Sequence, residues 1–326
     1  MTGRRDLLAA LAAAPLLGRS GTARAQARPN AWLVLGFPPG GLGDVVSQPL
    51  LERLRGRYAA TMLIDHRPGA SGRIAAEYVK RAAPDGATIL QVPGSVMSLY
   101  PHIYRALRYD PLADFTPAVA LCTYTYALVA GPGLPTGITT PADYLAWARA
   151  NPRGAHYGIP ATGSPMHFAG MMLGRRAGLE LEAVPFRGGA PLMQNLLGGQ
   201  IPVGFTVLTE ALNPIREGRL RALAVLDGDR SPFLPNIPTL AESGYPDIRL
   251  RDWLGWFLPA GTPPETVARL NAAVREGLET PAYAEILSRN ALTPMGQPPQ
   301  AFAETFRADH ARWAAIARET GFTADD

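Results

Sequence analysis

Three glycine-containing loops carry the polar groups from which a small-molecule site could be built. The first loop, residues 36–41, joins an apolar run at 31–35 to a helical pattern that starts near Asp44. The second and third loops, at 160–165 and 185–189, also precede helical patterns. A glycine-rich turn between a strand and a helix exposes backbone N–H groups at the helix N-terminus, where anions bind. The loops therefore indicate a site for a small anion, although each one alone is also typical of an ordinary strand–helix turn.

The side chains around these loops have two interpretations each. Asp44 either hydrogen-bonds a ligand hydroxyl or ammonium, or lies in a first helical turn, where an acid interacts well with the helix dipole. Ser164 is a helix N-cap or a ligand contact, and His167 is a ligand contact or an interior histidine. Arg187 either pairs with a carboxylate, which its guanidinium fork matches, or is a solvated loop arginine. We interpret Phe37 as a wall of the site, with a core position as the alternative.

The sequence contains no motif for catalysis. It lacks a Gly-x-Ser-x-Gly elbow and a His-Glu-x-x-His pair, and its five histidines are widely separated. The single cysteine, Cys122, lies in an apolar stretch, cannot form an internal disulfide and is interpreted as a buried small hydrophobe. We therefore expect a binding protein rather than an enzyme, with no metal and no cofactor.

The first 25 residues have the composition of a signal peptide. Arg4 and Arg5 provide a positive charge, residues 7–17 are apolar but too short to span a bilayer, and residues 23–25 (Ala-Arg-Ala) form a small-x-small cleavage site. We expect export to the periplasm and cleavage near Ala25. The arginine pair either marks a twin-arginine signal or only supplies the charge of the leader.

The remaining composition is that of an ordinary soluble protein. The chain has 326 residues, of which 47% are hydrophobic and 18% charged, and its length suggests about two domains. Removing the four arginines and one aspartate of the leader lowers the net charge from +4 to +1. Because the basic residues are also scattered, we expect no nucleic-acid partner.

The chain after the leader alternates strand and helix patterns. Strands are predicted at 61–65 and 88–92 around a helix at 73–83, a pattern typical of a parallel sheet covered on both faces. Further strand–helix units follow between residues 140 and 197, and two amphipathic helices are predicted near 264–278 and 299–318. This order predicts an α/β protein.

The same pattern predicts two lobes. The chain crosses to a second lobe near residues 124–130 and later returns to the first. We therefore expect a first lobe of residues 26–124 and 226–326, which includes the C-terminal helices, and a second lobe of residues 125–225. The glycine-rich loops would then meet in a cleft between the lobes.

Nine motifs, taken together and in order, resemble one family. They occupy residues 37–44 (Phe-Pro-Pro-Gly-Gly-Leu-Gly-Asp), 67–72 (Arg-Pro-Gly-Ala-Ser-Gly), 83–86, 109–115, 184–191 (Val-Pro-Phe-Arg-Gly-Gly-Ala-Pro), 197–200, 218–225, 235–244 and 259–263. The set resembles the Bug, or TctC-like, extracytoplasmic receptors of tripartite tricarboxylate transporters, over the whole chain after the leader.

This resemblance implies a fold and a function. The fold is the type II periplasmic-binding-protein fold, in which each lobe is a mainly parallel sheet flanked by helices and the ligand lies between the lobes. The function is capture of a small organic carboxylate for delivery to the membrane permease subunits of such a transporter. We expect a monomer. A subunit that signals ligand occupancy to a membrane kinase is the alternative, followed by an exported enzyme acting on small carboxylates.

The resemblance also implies which residues bind the ligand, through backbone amides, waters and side chains of facing loops. The positions are Phe37, Pro39, Gly40, Gly41, Asp44, Thr162, Gly163, Ser164, His167, Arg187, Gly188 and Thr206.

Two positions depart from the family pattern. Thr206 follows Phe205 where the family commonly has an acid, and Gln48 stands where it often has an arginine. Loss of the acid removes a partner for an ammonium or a ligand hydroxyl. We therefore expect a plain mono- or dicarboxylate rather than an amino acid as cargo.

Overall fold

The computed structural model describes residues 28–324, so the predicted signal peptide lies outside the described residues. The strands are β1 (Arg28–Leu35), β2 (Ala59–His66), β3 (Thr88–Pro93), β4 (Phe115–Ala130), β5 (His156–Ile159), β6 (Glu182–Pro185), β7 (Val203–Val207), β8 (Arg221–Val225), β9 (Arg251–Pro259) and β10 (Thr293–Pro294). The helices are α1 (Leu42–Leu54), α2 (Arg73–Val79), α3 (Gly94–Ser98), α4 (Pro141–Ala150), α5 (Pro165–Ala177), α6 (Gly189–Leu197), α7 (Leu208–Arg216), α8 (Pro264–Leu278), α9 (Pro281–Arg289) and α10 (Pro299–Thr320).

The strands form one sheet in the order β2-β1-β3-β9-β4-β7-β5-β6, with β8 and β10 also paired to β4. Three parallel strands stand at each end: β2, β1 and β3 at one, and β7, β5 and β6 at the other. The pairs that involve β4 and β9 are antiparallel. The predicted α/β architecture is confirmed, with a mixed centre where we expected mainly parallel strands, because the two central strands run back against their neighbours.

Strand β4 connects the two halves of the sheet. Its residues 115–125 pair with β9, and its residues 126–130 pair with β7 and β8. We call the β1–β3 and β9 side the first half, and the β5–β8 side the second half. The strand changes partners between residues 125 and 126, within the stretch 124–130 where the sequence predicts that the chain crosses to a second lobe. Almost every residue of β4 is buried, which explains its continuous apolar sequence.

Helix ends follow local sequence signals. Thr140 caps α4: its hydroxyl accepts a 3.1 Å hydrogen bond from the Asp143 N–H, and the Asp143 carboxylate accepts from the Thr140 N–H. Helix α5 begins after Ser164 and ends at Gly178, which adopts a left-handed conformation with φ of +62°. Ser164 thus occupies the N-cap position that is one of its two predicted roles, and threonine and glycine are residue types that favour the other two helix ends.

Other elements were not predicted. Helices α3 and α7 have no counterpart among the predicted elements, and neither has β4, which at 16 residues is longer than most strands. The proline that argues against a helix in α7, Pro214, lies near the end of its nine residues, where it disrupts little. Helix α2 ends at Val79 rather than at residue 83.

Aromatic side chains of β9 fill the core of the first half. Trp253 packs edge-on against Phe302 of α10, with ring centroids 5.1 Å apart, and Trp256 is fully buried. Both tryptophans lie within the first half, because β9 belongs to its sheet. Cys122 is buried as predicted, and burial raises the pKa of its thiol to about 12. Among the helices between residues 28 and 324, none has the length and apolarity needed to span a membrane.

Candidate functional site

The second-half loops meet at one edge of the sheet. Strands β5, β6 and β7 are parallel, so their carboxyl ends, at Ile159, Pro185 and Val207, lie along the same edge. The N–H of Phe186 donates to the Ile159 carbonyl at 2.8 Å, and the N–H of Gly188 donates to the Pro160 carbonyl at 2.9 Å. The two predicted loops of this half are therefore in direct contact, and the start of α7 lies beside them.

The first-half loops come together in the same way. Strands β1 and β2 are parallel, and the Arg67 N–H donates to the Leu35 carbonyl at 2.8 Å. Gly36 and Gly72 lie back to back: a Cβ on Gly36 would be 2.6 Å from the Cα of Gly72. Only glycine at position 36 permits this approach. Phe37 is 40% exposed and its ring lies against Gly72.

Tyr104 is the point where loops of the two halves meet. A Cβ on Gly163 would lie 3.5 Å from the Tyr104 hydroxyl and 2.9 Å from Cδ1 of Ile103. From the first half, the Arg73 guanidinium lies 3.9 Å from the centroid of the Tyr104 ring. The second-half loop at 160–164 thus faces the start of α2 across one aromatic ring. Sequence reasoning missed Tyr104 and Arg73; the available signal was that Arg73 directly follows the glycine-rich motif at 67–72.

The loop before α2 has a strained backbone. Gly69, Ala70, Ser71 and Gly72 have φ values of +136°, +45°, +54° and +94°. Positive φ is costly for alanine and serine, and such strain is concentrated at ligand-binding and other functional sites. The side chain of Ser71 also hydrogen-bonds the buried Tyr100. This second loop of the first half is therefore held in an uncommon conformation beside the contact point.

Asp44 organises the first loop. Its Oδ2 accepts a 2.9 Å hydrogen bond from the Gly40 N–H, and its Oδ1 lies 2.9 Å from Nε2 of His66. The carboxylate is only 5% exposed. Both oxygens are therefore engaged within the first half, which favours the interpretation of Asp44 as a residue that shapes the loop.

The N-terminus of α1 is open to a ligand. Gly41 is its N-cap and provides no side-chain cap, and residues 37–41 are all exposed. The first N–H groups of a helix have no partner within the helix, so those of Leu42 and Gly43 are available to an anion. The Gly40 N–H, in contrast, is occupied by Asp44.

Buried polar contacts fix the first turn of α1. Nε2 of Gln91 donates to the Gly43 carbonyl at 3.0 Å, and Nε1 of Trp256 donates to Oε1 of Gln91 at 2.6 Å. The hydroxyl of Ser47 donates to the same oxygen. Gln91 therefore ties the helix start to β3 and β9.

Ser164 and His167 shape the loop at 160–164. The Ser164 hydroxyl donates to the Ala161 carbonyl at 2.7 Å and accepts from the His167 N–H at 3.3 Å. Nδ1 of His167 accepts a 3.2 Å hydrogen bond from the Gly163 N–H, and burial lowers the pKa of this histidine, which favours the neutral form that can accept. These contacts favour the N-cap interpretation of Ser164 and an interior role for His167. Thr162, between them and the solvent, is exposed.

Arg187 and Thr206 have opposite environments. Arg187 is exposed and forms no ion pair with any residue from 28 to 324. Thr206 is fully buried, and its hydroxyl donates a 2.9 Å hydrogen bond to Oε2 of Glu210. Position 206 lacks an acid, but Glu210, in the first turn of α7, places a carboxylate at the same edge of the sheet. Sequence reasoning missed Glu210 because it did not predict α7. Within the described part of the chain, no group of three or more His, Cys, Asp or Glu side chains is arranged to hold a metal ion.

Comparison with known proteins agrees with this architecture. The family described as "Tripartite tricarboxylate transporter family receptor", TctC, matches residues 46–322. A UPF0065 protein from the tcbD-tcbE intergenic region of Pseudomonas sp. strain P51 is 32% identical, over 99% of this chain and 96% of its own length.

Two solved structures share the fold. R. palustris Rpa4515, determined with adipate, has a TM-score of 0.83 and 32% identity, over 90% of this chain and 98% of its own. The periplasmic binding protein BugD has a TM-score of 0.82 and 28% identity, over 91% of this chain and 99% of its own. The predicted periplasmic-binding-protein fold is confirmed by these matches. The chain belongs to the TctC (Bug) family of tripartite tricarboxylate transporter receptors.

Proposed function

We propose that this protein is a periplasmic receptor that captures a small organic carboxylate between two lobes and delivers it to the membrane subunits of a tripartite tricarboxylate-type transporter. The observation that carries the proposal is the meeting of the first-half and second-half loops at Tyr104. The uncapped N-terminus of α1 follows the loop whose Phe37 packs against Gly72, the residue before Arg73. The adipate in Rpa4515, a family member with the same fold, supports a carboxylate as cargo.

The proposed site consists of the loop residues that the family resemblance implies, with divided roles. Backbone N–H groups at the start of α1, after Gly40 and Gly41, receive the ligand carboxylate. Arg187, which is exposed and without a counter-ion in residues 28–324, supplies positive charge. Asp44, Ser164 and His167 act through the loops that they shape. Phe37, Pro39, Thr162, Gly163 and Gly188 line the site, and Thr206 acts through Glu210.

Hydrogen bonds from the protein to a ligand carboxylate are strong enough for micromolar binding. Micromolar binding corresponds to about 8 kcal/mol. Each hydrogen bond to a charged group contributes about 1.5–3 kcal/mol, so four to six of them cover the affinity and the entropic cost of association. No catalytic step is needed, and we propose a receptor without enzymatic activity.

We further propose that the lobes are residues 26–124 with 226–326, and 125–225, in an exported monomer whose leader is removed near Ala25. The continuous strand β4 and the return at 226–250 then form the two crossings. Closure of the lobes over the ligand would bend the chain there. A ligand held between both lobes favours the closed state, because it contacts both sets of loops only when they are close.

A thermal-shift screen of the chain from Gln26 onward tests the receptor function. The panel contains mono-, di- and tricarboxylates, aromatic acids and amino acids. A ligand at 100 times its dissociation constant should stabilise the fold by about 2.7 kcal/mol, a shift of several degrees. Arg187→Ala should reduce the shift. Arg153→Ala, an exposed arginine at the amino end of β5, is the matched control and should leave it unchanged. A folded protein that responds to no carboxylate would contradict the proposal.

A further inference from the structure

A carboxylate that no motif indicates lies among the second-half loops. Glu210 is in the first turn of α7, directly after the carboxyl end of β7. Its Oε2 accepts the 2.9 Å hydrogen bond from Thr206. The carboxylate also abuts Gly189, the first residue of α6, where a Cβ would overlap it. The hydrogen bond from Thr206 and the contact with the start of α6 therefore hold the Glu210 carboxylate at this edge of the sheet.

The Glu210 side chain is accessible from the solvent. It is exposed, whereas Thr206 beneath it has no exposed surface. Neighbouring protein nevertheless desolvates the carboxyl group and raises the pKa of Glu210, against a smaller lowering by the Thr206 hydroxyl. No arginine, lysine or histidine between residues 28 and 324 forms an ion pair with it. The first turn of α6 beside Glu210 stabilises the charged carboxylate and so opposes part of this shift.

Arg187, an exposed basic residue without an ion pair among the described residues, belongs to the loop that leads to Gly189. Arg187 precedes Gly189 by two residues, and Gly189 touches the Glu210 carboxylate. Arg187 and Glu210 do not pair with each other. A basic and an acidic group, both exposed and both without an ionic partner among the described residues, therefore stand beside the same helix start.

We infer that Glu210 selects the cargo: it accepts a hydrogen bond from a hydroxyl or ammonium group that the ligand carries next to its carboxylate, as in 2-hydroxy and 2-amino acids. This inference rests on the proposed carboxylate-receptor function, since it names the class of carboxylate that the site prefers.

The chemistry of the neighbouring groups supports this class. A 2-hydroxy or 2-amino acid presents a carboxylate and a hydrogen-bond donor on adjacent carbons, which match Arg187 and Glu210. A plain dicarboxylate offers no donor, so the Glu210 carboxylate would lose water on binding without gaining a hydrogen bond. Asp44 is less suited to this role, because it is buried and each of its oxygens already has a partner, in Gly40 and His66. From the sequence we expected a plain carboxylate because Thr206 replaces an acid. That expectation did not take the carboxylate of Glu210 into account.

Calorimetric titration with matched ligands tests the inference. The chain from Gln26 onward is titrated with succinate, malate and aspartate, and then with glutarate, 2-hydroxyglutarate and glutamate. In each set, the hydroxyl- or amino-bearing member should bind at least about tenfold more tightly than the plain acid, since tenfold corresponds to about 1.4 kcal/mol. Comparison of malate with aspartate then identifies the donor as hydroxyl or ammonium.

Two variants separate selection from a structural role. Glu210→Gln keeps an oxygen that can accept from Thr206 but removes the charge, and it should reduce the preference by about tenfold while the plain acid binds as before or more tightly. Glu182→Gln, an exposed glutamate at the amino end of β6, should change neither affinity. If Glu210 were only structural, Glu210→Gln would weaken all ligands equally.

The outcomes distinguish this inference from the function beneath it. Tight binding of the plain acids by the wild-type chain, or an equal loss for all ligands in Glu210→Gln, would overturn the inference and leave the receptor function intact. Absence of binding by every carboxylate, in a protein with a normal unfolding transition, would overturn both.

Discussion

The hydroxyl of Tyr126 donates a 2.9 Å hydrogen bond to Oδ2 of Asp252, at the place where strand β4 passes from its pairing with β9 to its pairing with β7 and β8. Asp252 pairs with Tyr124 in the β4–β9 register, whereas Tyr126 already pairs with Val207 of β7. One buried contact therefore joins the start of β9 to the part of β4 that belongs to the second half. A hinge motion of the proposed lobes must preserve this contact or bend around it.

Asp252 should give the free energy of unfolding a defined pH dependence. Burial, and then the nearby Asp309 carboxylate, raise the pKa of Asp252 from 3.8 to about 6. Between about pH 4 and pH 6 the folded protein holds a proton that the unfolded chain has lost, so stability falls as pH rises through this window, by roughly 3 kcal/mol, and then stays level. Asp252→Asn keeps an acceptor for Tyr126 and should remove this component.

Urea unfolding from pH 4 to pH 8 measures this contribution of Asp252 to the free energy of unfolding. The difference in the free energy of unfolding between Asp252→Asn and the wild type should grow in favour of the variant as pH rises to about 6. A difference that is independent of pH would show that Asp252 is ionised throughout, and the prediction would be wrong.

Local signals specify several of the helix ends and predicted the order of the strand–helix units. The caps at Thr140, Ser164 and Gly178 depend on residues within one turn of each other, so the sequence contains the whole interaction. The glycine-rich loops were likewise placed correctly at strand ends. Such features need no knowledge of tertiary packing.

The remaining features depend on contacts between distant segments. Tyr104 becomes part of the contact point only because the loop at 160–164 packs against it, and Glu210 faces the site only because α6 and α7 start side by side. The antiparallel centre of the sheet requires β9 to return more than 100 residues after β4 begins. Composition and periodicity do not specify which distant segments pair, so these contacts could not be predicted from the sequence.

Replacement of Asp44 should weaken ligand binding through the loop rather than through a lost ligand contact. Asp44→Ala frees the Gly40 N–H and removes the partner of His66, which should cost about 1–3 kcal/mol of stability and lower the affinity for the best carboxylate of the panel by roughly tenfold. Asp229→Ala, at an exposed loop position, is the control. Full affinity in Asp44→Ala would show that the loop does not need this carboxylate to bind ligand.

Gly163 should tolerate no side chain at the contact between the halves. Gly163→Ala places a Cβ at φ of +73° and 2.9 Å from Cδ1 of Ile103. Gly178→Ala at the end of α5 is a matched control, because its φ is +62° but no atom lies within 4 Å. Both variants should lose about 1 kcal/mol of stability from backbone strain. Only Gly163→Ala should also lose ligand affinity, as calorimetry would show; equal affinities in the two variants would contradict a role for this contact.

Gln91 should couple the stability of the core to the first ligand loop. Gln91→Leu leaves the Trp256 N–H and the Ser47 hydroxyl without their acceptor and releases the Gly43 carbonyl at the start of α1. An unsatisfied buried donor costs about 1–3 kcal/mol, so the free energy of unfolding in urea should fall by roughly 3 kcal/mol. Gln48→Leu, at the exposed residue next to Ser47 in α1, should change the free energy of unfolding little.

If the start of α1 depends on the hydrogen bond from Gln91, Gln91→Leu also binds the carboxylate more weakly at a temperature where it is fully folded, because the N–H groups of Leu42 and Gly43 are no longer held in place. Unchanged affinity in the folded variant would confine Gln91 to the core.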